Sequence, residues 1–337
     1  MRGLPGANDR IVTGHIGLGG MGRFHFNALK DHVGALCDVD ENHLSAAAEA
    51  LDKPVPTYKD YRRVLEQSDI DAVIVATPDH WHGLMAVHAC QAGKDVYVEK
   101  PSSLTIEEGK AMLQAARRYG RVMQVGSQGR SLPGAHATCE YIRNGEIGPV
   151  RRVECWHYEN PVGGDPSKTG EPPPNLDWDL WLGPAQWVPY NPDRVHFNFR
   201  WFLDFGGGQI RDRGAHVLSL VSWFLDLDDK GPARVTATGE PPHTGMFDCP
   251  TTMEVVWEFK DPELTVVWAQ PGLRGADRSF GAVYHGEKDR LVVVGGDGGG
   301  VFPEKVGNYT PPAGGVRVFK SPGHHKNFFD CVKTRER

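Results

Sequence analysis

Three side chains in this sequence have the types and spacing needed to move a proton and steady a charge. Lys100 sits between Glu99 and Pro101, just beyond the apolar run Asp95–Val98. A proline restricts the residue before it to extended backbone, so Pro101 would hold Lys100 in a defined place. Asp212 and His216 lie four residues apart in a helical stretch, and so on one face of it. An aspartate at that spacing can fix a histidine's tautomer and stabilise its imidazolium, which suits a general base. A lysine beside the reacting oxygen would offset negative charge developing there. Each feature also has a plainer reading. Lys100 could be a solvated surface lysine, and Asp212 with His216 an exposed helical pair or a satisfied core histidine.

The stretch Ile11–Gly22, IVTGHIGLGGMG, indicates what such groups would act with. Gly17, Gly19 and Gly22 fall in the G-x-G-x-x-G register of a dinucleotide site. The first glycine permits the tight turn, the second lets backbone approach a pyrophosphate, and the third lets helix and strand pack closely. Gly20 and Met21 open the helix whose free N–H groups would face the phosphate. With 41 glycines in 337 residues the motif alone is weak and needs its context. Part of that context is Asp38, which ends the strand Ala35–Val39. The fold places a ribose-binding acid about 20 residues after the turn. Asp38 favours NAD over NADP, whose extra phosphate it would repel. Its plainer role is to cap the following helix.

The remaining context is a strand–helix alternation. Helices are predicted at Met21–His32, Glu41–Leu51, Tyr61–Glu66, Trp81–Ala92 and Ile106–Tyr119, with strands at Ala72–Ala76, Asp95–Val98 and Val122–Val125. Repeated units of this kind make a doubly wound parallel sheet, here over residues 1–126. Ligands bind such sheets outside the carboxyl ends of the strands. Two of those ends carry suggestive residues: Thr77-Pro78-Asp79-His80-Trp81-His82, and Glu99-Lys100-Pro101.

The pattern then changes, and residues 127–337 read as an α+β domain with a large, mostly antiparallel sheet. A helix at Ala135–Asn144 precedes a long strand at Val150–Tyr158 and a Pro/Gly-rich stretch, 160–176, of the kind that forms lids and binding loops. Trp178, Trp181 and Trp187 would pack a core or, less simply, form a sugar-stacking wall. A helix at Ile210–Leu225 carries Asp212 and His216. Strands follow at Arg234–Thr238, Thr252–Phe259, Leu264–Gln270, Gly281–His285, Arg290–Val294 and Val316–Lys320, with a loop at 295–300 and a last helix at His325–Val332.

Composition narrows the classes of function. The net charge of −6 offers no basic field for nucleic acid. No apolar run approaches the roughly 18 residues of a membrane helix. The start, MRGLPGANDR, lacks the apolar core of an export signal, so a cytoplasmic location is expected, although a signal already removed would leave no trace. Six scattered cysteines without a C-x-x-C pair fit buried thiols, and no metal site is expected from them.

Taken together, the glycine turn at Gly17–Gly22, Asp38, the Thr77-Pro78…His82 loop, Glu99-Lys100-Pro101, and Asp212…His216 after a glycine run resemble the Gfo/Idh/MocA oxidoreductases across nearly the whole chain. The resemblance implies a nicotinamide-binding Rossmann domain, and a second domain whose sheet makes a homodimer or homotetramer contact. It implies Lys100, Asp212 and His216 as the catalytic group. It implies cofactor contacts from Gly17, Gly19, Gly20, Met21, Gly22, Asp38, Thr77, Pro78, His82 and Glu99. Two residues depart from the pattern: Arg213 stands where many relatives have an uncharged residue, and Ser219 where many have an acid. Relatives usually run well past a motif like Ser321–His325, which implies a shortened C-terminus. The expected function is NAD-dependent hydride transfer at a secondary alcohol of a sugar, polyol or glycoside. The alternatives are an NAD-retaining glycosidase working by transient oxidation and elimination, and a non-catalytic nucleotide sensor.

Overall fold

The computed structural model describes residues 10–272, 279–295 and 300–336. The first half is a six-stranded parallel sheet built as the alternation predicts. Its elements are β1 (Thr13–Ile16), α1 (Gly20–Ala28), β2 (Val33–Cys37), α2 (Glu41–Glu49), β3 (Thr57–Tyr58), α3 (Tyr61–Leu65), β4 (Ala72–Val75), α4 (Asp79–Gln91), β5 (Asp95–Val98), α5 (Ile106–Tyr119) and β6 (Met123–Val125). The strand order β3-β2-β1-β4-β5-β6 reverses direction between β1 and β4, which opens a crevice at their carboxyl ends. Continuous burial of β4 and β5 explains their unbroken apolar character. Local signals set several helix ends. Thr105 and Glu108 form a reciprocal capping box on α5, and Gly120 closes it in the left-handed region. Asp40 accepts the Asn42 N–H to start α2. The helix predicted to reach His32 stops at Ala28, and a separate 3₁₀ turn fills Lys30–His32.

The second half contains α6 (Pro133–Arg143), β7 (Val150–Trp156), α7 (Trp178–Leu182), α8 (Gln209–Phe224), β8 (Arg234–Glu240), β9 (Thr252–Lys260), β10 (Glu263–Gln270), β11 (Gly281–Gly286), β12 (Arg290–Val294), α9 (Glu304–Gly307) and α10 (His324–Thr334). Its sheet has the order β12-β11-β7-β10-β9-β8, antiparallel except where β7 lies beside β10. One face is covered by α6 and α8. Val217, Leu220, Val221 and Phe224 of α8 join Cys139 and Ile142 of α6 against Val153, Trp268 and Tyr284. The glycine-rich loop expected at 295–300 lies largely outside the described residues.

The strand expected at Val316–Lys320 does not form. Its backbone groups are satisfied by side chains of α6 and its C-cap instead of a neighbouring strand. Val316 N–H donates to Asn144 Oδ1 at 2.7 Å and Val318 N–H to Glu140 Oε1 at 3.0 Å, while Asn144 Nδ2 donates to the Val316 carbonyl. Alternating apolar residues therefore mark an extended strap here, not a sheet member. Beyond it, α10 returns to the first sheet and buries Phe328 and Val332 among Ile11, Leu29, Ile74 and Tyr97. Phe328 is fully buried. Phe328→Ala should therefore cost about 3–5 kcal/mol of unfolding free energy. Chemical denaturation would check this; an unchanged midpoint would show that α10 does not hold the sheet.

Candidate active site

The glycine turn divides its labour. Gly17 has φ +86°, and a Cβ there would lie 2.7 Å from the Ala76 carbonyl group. A Cβ on Gly22 would lie 1.9 Å from the Gly17 oxygen. These two glycines let β1, α1 and β4 close on one another. Gly20 is different, because nothing lies within 4 Å of the Cβ position. Gly19, the N-cap of α1, has no side-chain cap, which leaves first-turn N–H groups for an anion. The turn is thus bare on the side facing a cleft of about 340 Å³. That bare face fits a dinucleotide pyrophosphate, with Gly19, Gly20 and Met21 to hold it.

The cleft runs along the carboxyl ends of β1, β2, β4 and β5. Among the residues lining it are Gly17, Gly19, Gly20, Met21, Asp38, Thr77, Pro78, His82, Glu99, Lys100 and Asp212. Gly22 is not among them, as its packing role requires. Asp38 accepts the Leu18 N–H at 2.7 Å and the Asp40 N–H at 2.9 Å, which fixes the carboxylate at the end of β2. His43 Nδ1 lies 3.6 Å from Asp38, and its hydrogen bond to that carboxylate raises the histidine's pKa despite partial burial. Part of the cleft is roofed by the 160–205 segment. Asp177 N–H donates to the Val39 carbonyl and Glu41 N–H to the Asn175 carbonyl, while His196 and Trp181 reach the cleft wall.

Lys100 is the meeting point of the two halves. Its Nζ donates to Asp212 Oδ1 at 2.5 Å and to the Asp212 carbonyl at 3.1 Å. The other Asp212 oxygen faces Arg200 Nε at 3.1 Å. Glu99 sits behind Lys100. It accepts His25 Nε2 at 2.8 Å, Gln128 Nε2 at 2.7 Å and the Lys100 N–H at 3.0 Å. Burial opposes its charge, but the His25 bond, the nearby cations and the Gln128 bond outweigh burial and hold its pKa below the usual range. His82 places its two ring nitrogens 2.7 Å from the Pro101 carbonyl and 2.9 Å from the Thr77 carbonyl. It thereby links the two strand-end loops noted in the sequence.

His216 follows Asp212 by one turn of α8 and lines a second, smaller cavity with Gly129, Val217, Leu220 and Tyr284. Arg213 places its guanidinium over the Phe280 ring at 5.2 Å. Ser219, where relatives often have an acid, accepts the Arg130 Nε–H at 2.8 Å. Trp178 and Trp181 stack on each other inside a hydrophobic cluster with Phe199, Phe202 and Phe205, as the core reading expects; Trp187 is exposed. Sequence reasoning missed Arg200, which lies in an irregular segment with no periodic signal. It also passed over Asp79 inside a loop it had already singled out.

If Asp38 holds both His43 and a ribose hydroxyl, Asp38→Asn should lower the His43 pKa and weaken NAD binding on the order of tenfold or more, the worth of one charge-assisted hydrogen bond. A histidine NMR titration and a binding isotherm measure the two effects. Unchanged values would remove Asp38 from the site. Comparison with known proteins agrees with this architecture. Residues 11–127 match the family model described as "Oxidoreductase family, NAD-binding Rossmann fold", and residues 154–276 match "Oxidoreductase family, C-terminal alpha/beta domain". The chain is 31% identical over 275 residues to the uncharacterized oxidoreductase YrbE of Bacillus subtilis, covering 80% of this chain and 74% of that one. It is 36% identical over 137 residues to the scyllo-inositol 2-dehydrogenase (NAD(+)) of the same organism, covering 40% of each chain. The WlbA dehydrogenase of Bordetella pertussis, solved with NADH and UDP-GlcNAcA, shares the fold with a TM-score of 0.65 at 20% identity, over 85% of this chain and 80% of that one. A bare glycine turn facing a cleft beside the Lys100–Asp212 pair, and family matches over both halves, place this chain in the Gfo/Idh/MocA family of NAD-binding oxidoreductases.

Proposed function

We propose that the protein oxidises a secondary alcohol of a sugar or polyol, or runs the reverse reduction, with NAD. The observation that carries this is the placement of Lys100. A buried ammonium held by Asp212 stands in the same cleft as the bare glycine turn and Asp38. The dehydrogenase activity in the name of the scyllo-inositol relative supports an alcohol of the polyol class.

Bound NAD supplies hydride acceptance at its nicotinamide ring. The chain's own residues would do the rest. Lys100 donates a hydrogen bond to the substrate oxygen and offsets the charge that grows on it. Asp212 anchors that ammonium through a side-chain and a backbone acceptor, and Arg200 balances the second carboxylate oxygen. For the hydroxyl proton, helix spacing nominates His216, one turn after Asp212 on α8. The outer face of the second sheet, where β8 is exposed along its length, would carry the oligomer contact.

The roof over the cleft favours a second reading. Segment 160–205 is tied to β2 and α2 by the Asp177–Val39 and Glu41–Asn175 hydrogen bonds. A cofactor beneath it would leave slowly, as suits a glycosidase that oxidises a sugar transiently, eliminates the aglycone and restores the sugar. Purified protein carrying stoichiometric NAD and releasing p-nitrophenol from a glycoside without net NADH would select that reading.

The direct test is a screen of inositols, hexoses and glycosides with NAD and NADP separately. Lys100→Ala should keep NAD binding and lose on the order of 10²–10⁴ in kcat/KM, the usual weight of such groups. Near-normal turnover in that variant would contradict the assignment.

A further inference from the structure

At the end of the cleft where Asp38 stands, three side chains from two parts of the chain converge. They are Asp40, the N-cap of α2, His43 in the first turn of that helix, and His196, where the roof segment enters a 3₁₀ turn. Each offers one ligand atom, a carboxylate oxygen or a ring nitrogen, and the three atoms lie within 4.8 Å of one another. Asp40 is buried and held in place. Its Oδ1 accepts the Asn42 N–H and the Asn175 side-chain amide, both at 2.9 Å. That leaves Oδ2 toward His196, whose Nε2 lies 3.4 Å away. The two imidazole rings are neighbours, with centroids 4.9 Å apart. A proton on one ring repels a proton on the other, whereas a single divalent ion takes a lone pair from each. His196 has φ +52°, a left-handed conformation uncommon outside glycine and one that collects at functional sites.

We propose that Asp40, His43 and His196 bind a divalent transition-metal ion of the zinc class, which clasps the roof segment to α2 over the adenosine end of the dinucleotide. Two imidazoles and one carboxylate are a donor set of such ions, while calcium and magnesium take oxygen ligands. Bonds of about 2.0–2.2 Å place tetrahedral ligands roughly 3.4 Å apart. Asp40 and His196 already have that spacing, and the partly exposed ring of His43 closes the rest by side-chain rotation. Asp38 stands 3.6 Å from His43 Nδ1. A carboxylate beside a ligating imidazole orients the ring and strengthens it as a ligand. Three protein ligands leave a fourth position open to the cleft. Binding is a ligand exchange: waters leave the ion, each imidazole binds through a neutral nitrogen, and any proton it carried goes to solvent. No electron is transferred. Two strands separate β2 from β5, so the ion acts on how the cofactor is held and not on Lys100.

The test uses the full chain without an affinity tag, stripped by a chelator, and reads binding by calorimetry. Zinc should bind one to one, and magnesium should not bind. His196→Asn and His43→Ala should each weaken zinc on the order of 10²-fold. Asparagine tolerates the left-handed backbone at 196, so that variant keeps the roof, and Asp40 is left intact because it caps α2. Absence of one-to-one zinc binding, or zinc affinity unchanged in either variant, would overturn the site. The clasp has its own readout. Zinc should tighten NADH binding about tenfold, and NADH should tighten zinc by the same factor, because such coupling is reciprocal. In His196→Asn the NADH affinity should be the same with and without zinc. Zinc that leaves wild-type NADH affinity unchanged, or weakens it, would overturn the clasp. Each readout is a binding measurement, so the result stands apart from which alcohol is oxidised.

Discussion

The contact on which the rest of this molecule turns is the ion pair between Lys100 and Asp212. One partner ends a strand of the first sheet, and the other begins the helix that covers the second. Both side chains are largely removed from water, at 8% and 14% exposure. A buried charge without its partner is costly, so the pair is stable only when the two halves meet in register. Its role is therefore placement more than net stability. It brings an ammonium to a cleft whose floor is the glycine turn. The supports continue outward. Glu99 takes the Lys100 N–H and the His25 ring, and His25 in turn lies 2.7 Å from His325 on α10. The last helix thus braces the residue that braces Lys100.

Two acids flank this lysine, and their surroundings drive them apart. Glu99 and Asp79 are both deeply buried. Glu99 has hydrogen-bond donors on both oxygens and stays ionised below the usual range, while Asp79 has none and rises to about 7. Burial acts in the same direction on both, so the donors make the difference. Two carboxyls near one lysine thus differ because of their surroundings and not their chemistry.

Much of this was legible in the sequence, because the first sheet has strong local signals. Apolar runs, the glycine turn and Asp38 at its spacing depend on nearby residues. The strand Val316–Lys320 was misread because alternation reports which side chains are buried and not what satisfies the backbone, here Glu140 and Asn144. Two further partners of Asp212 were not legible for a related reason. Helix spacing brings His216 near in sequence, but Lys100 and Arg200 arrive through tertiary packing that no local pattern reports. Asp79 was hidden among helix-starting residues, where aspartate is common and a cap is its ordinary role. Only burial without a partner distinguishes it.

The central claim is that Lys100 and Asp212 act as one unit at the reacting oxygen. A double-mutant cycle with Lys100→Ala and Asp212→Ala, read as kcat/KM for NAD-dependent alcohol oxidation, tests it most directly. The account predicts strong non-additivity, with the double variant little worse than either single one and a coupling of about 1–3 kcal/mol. Effects that simply add would contradict it.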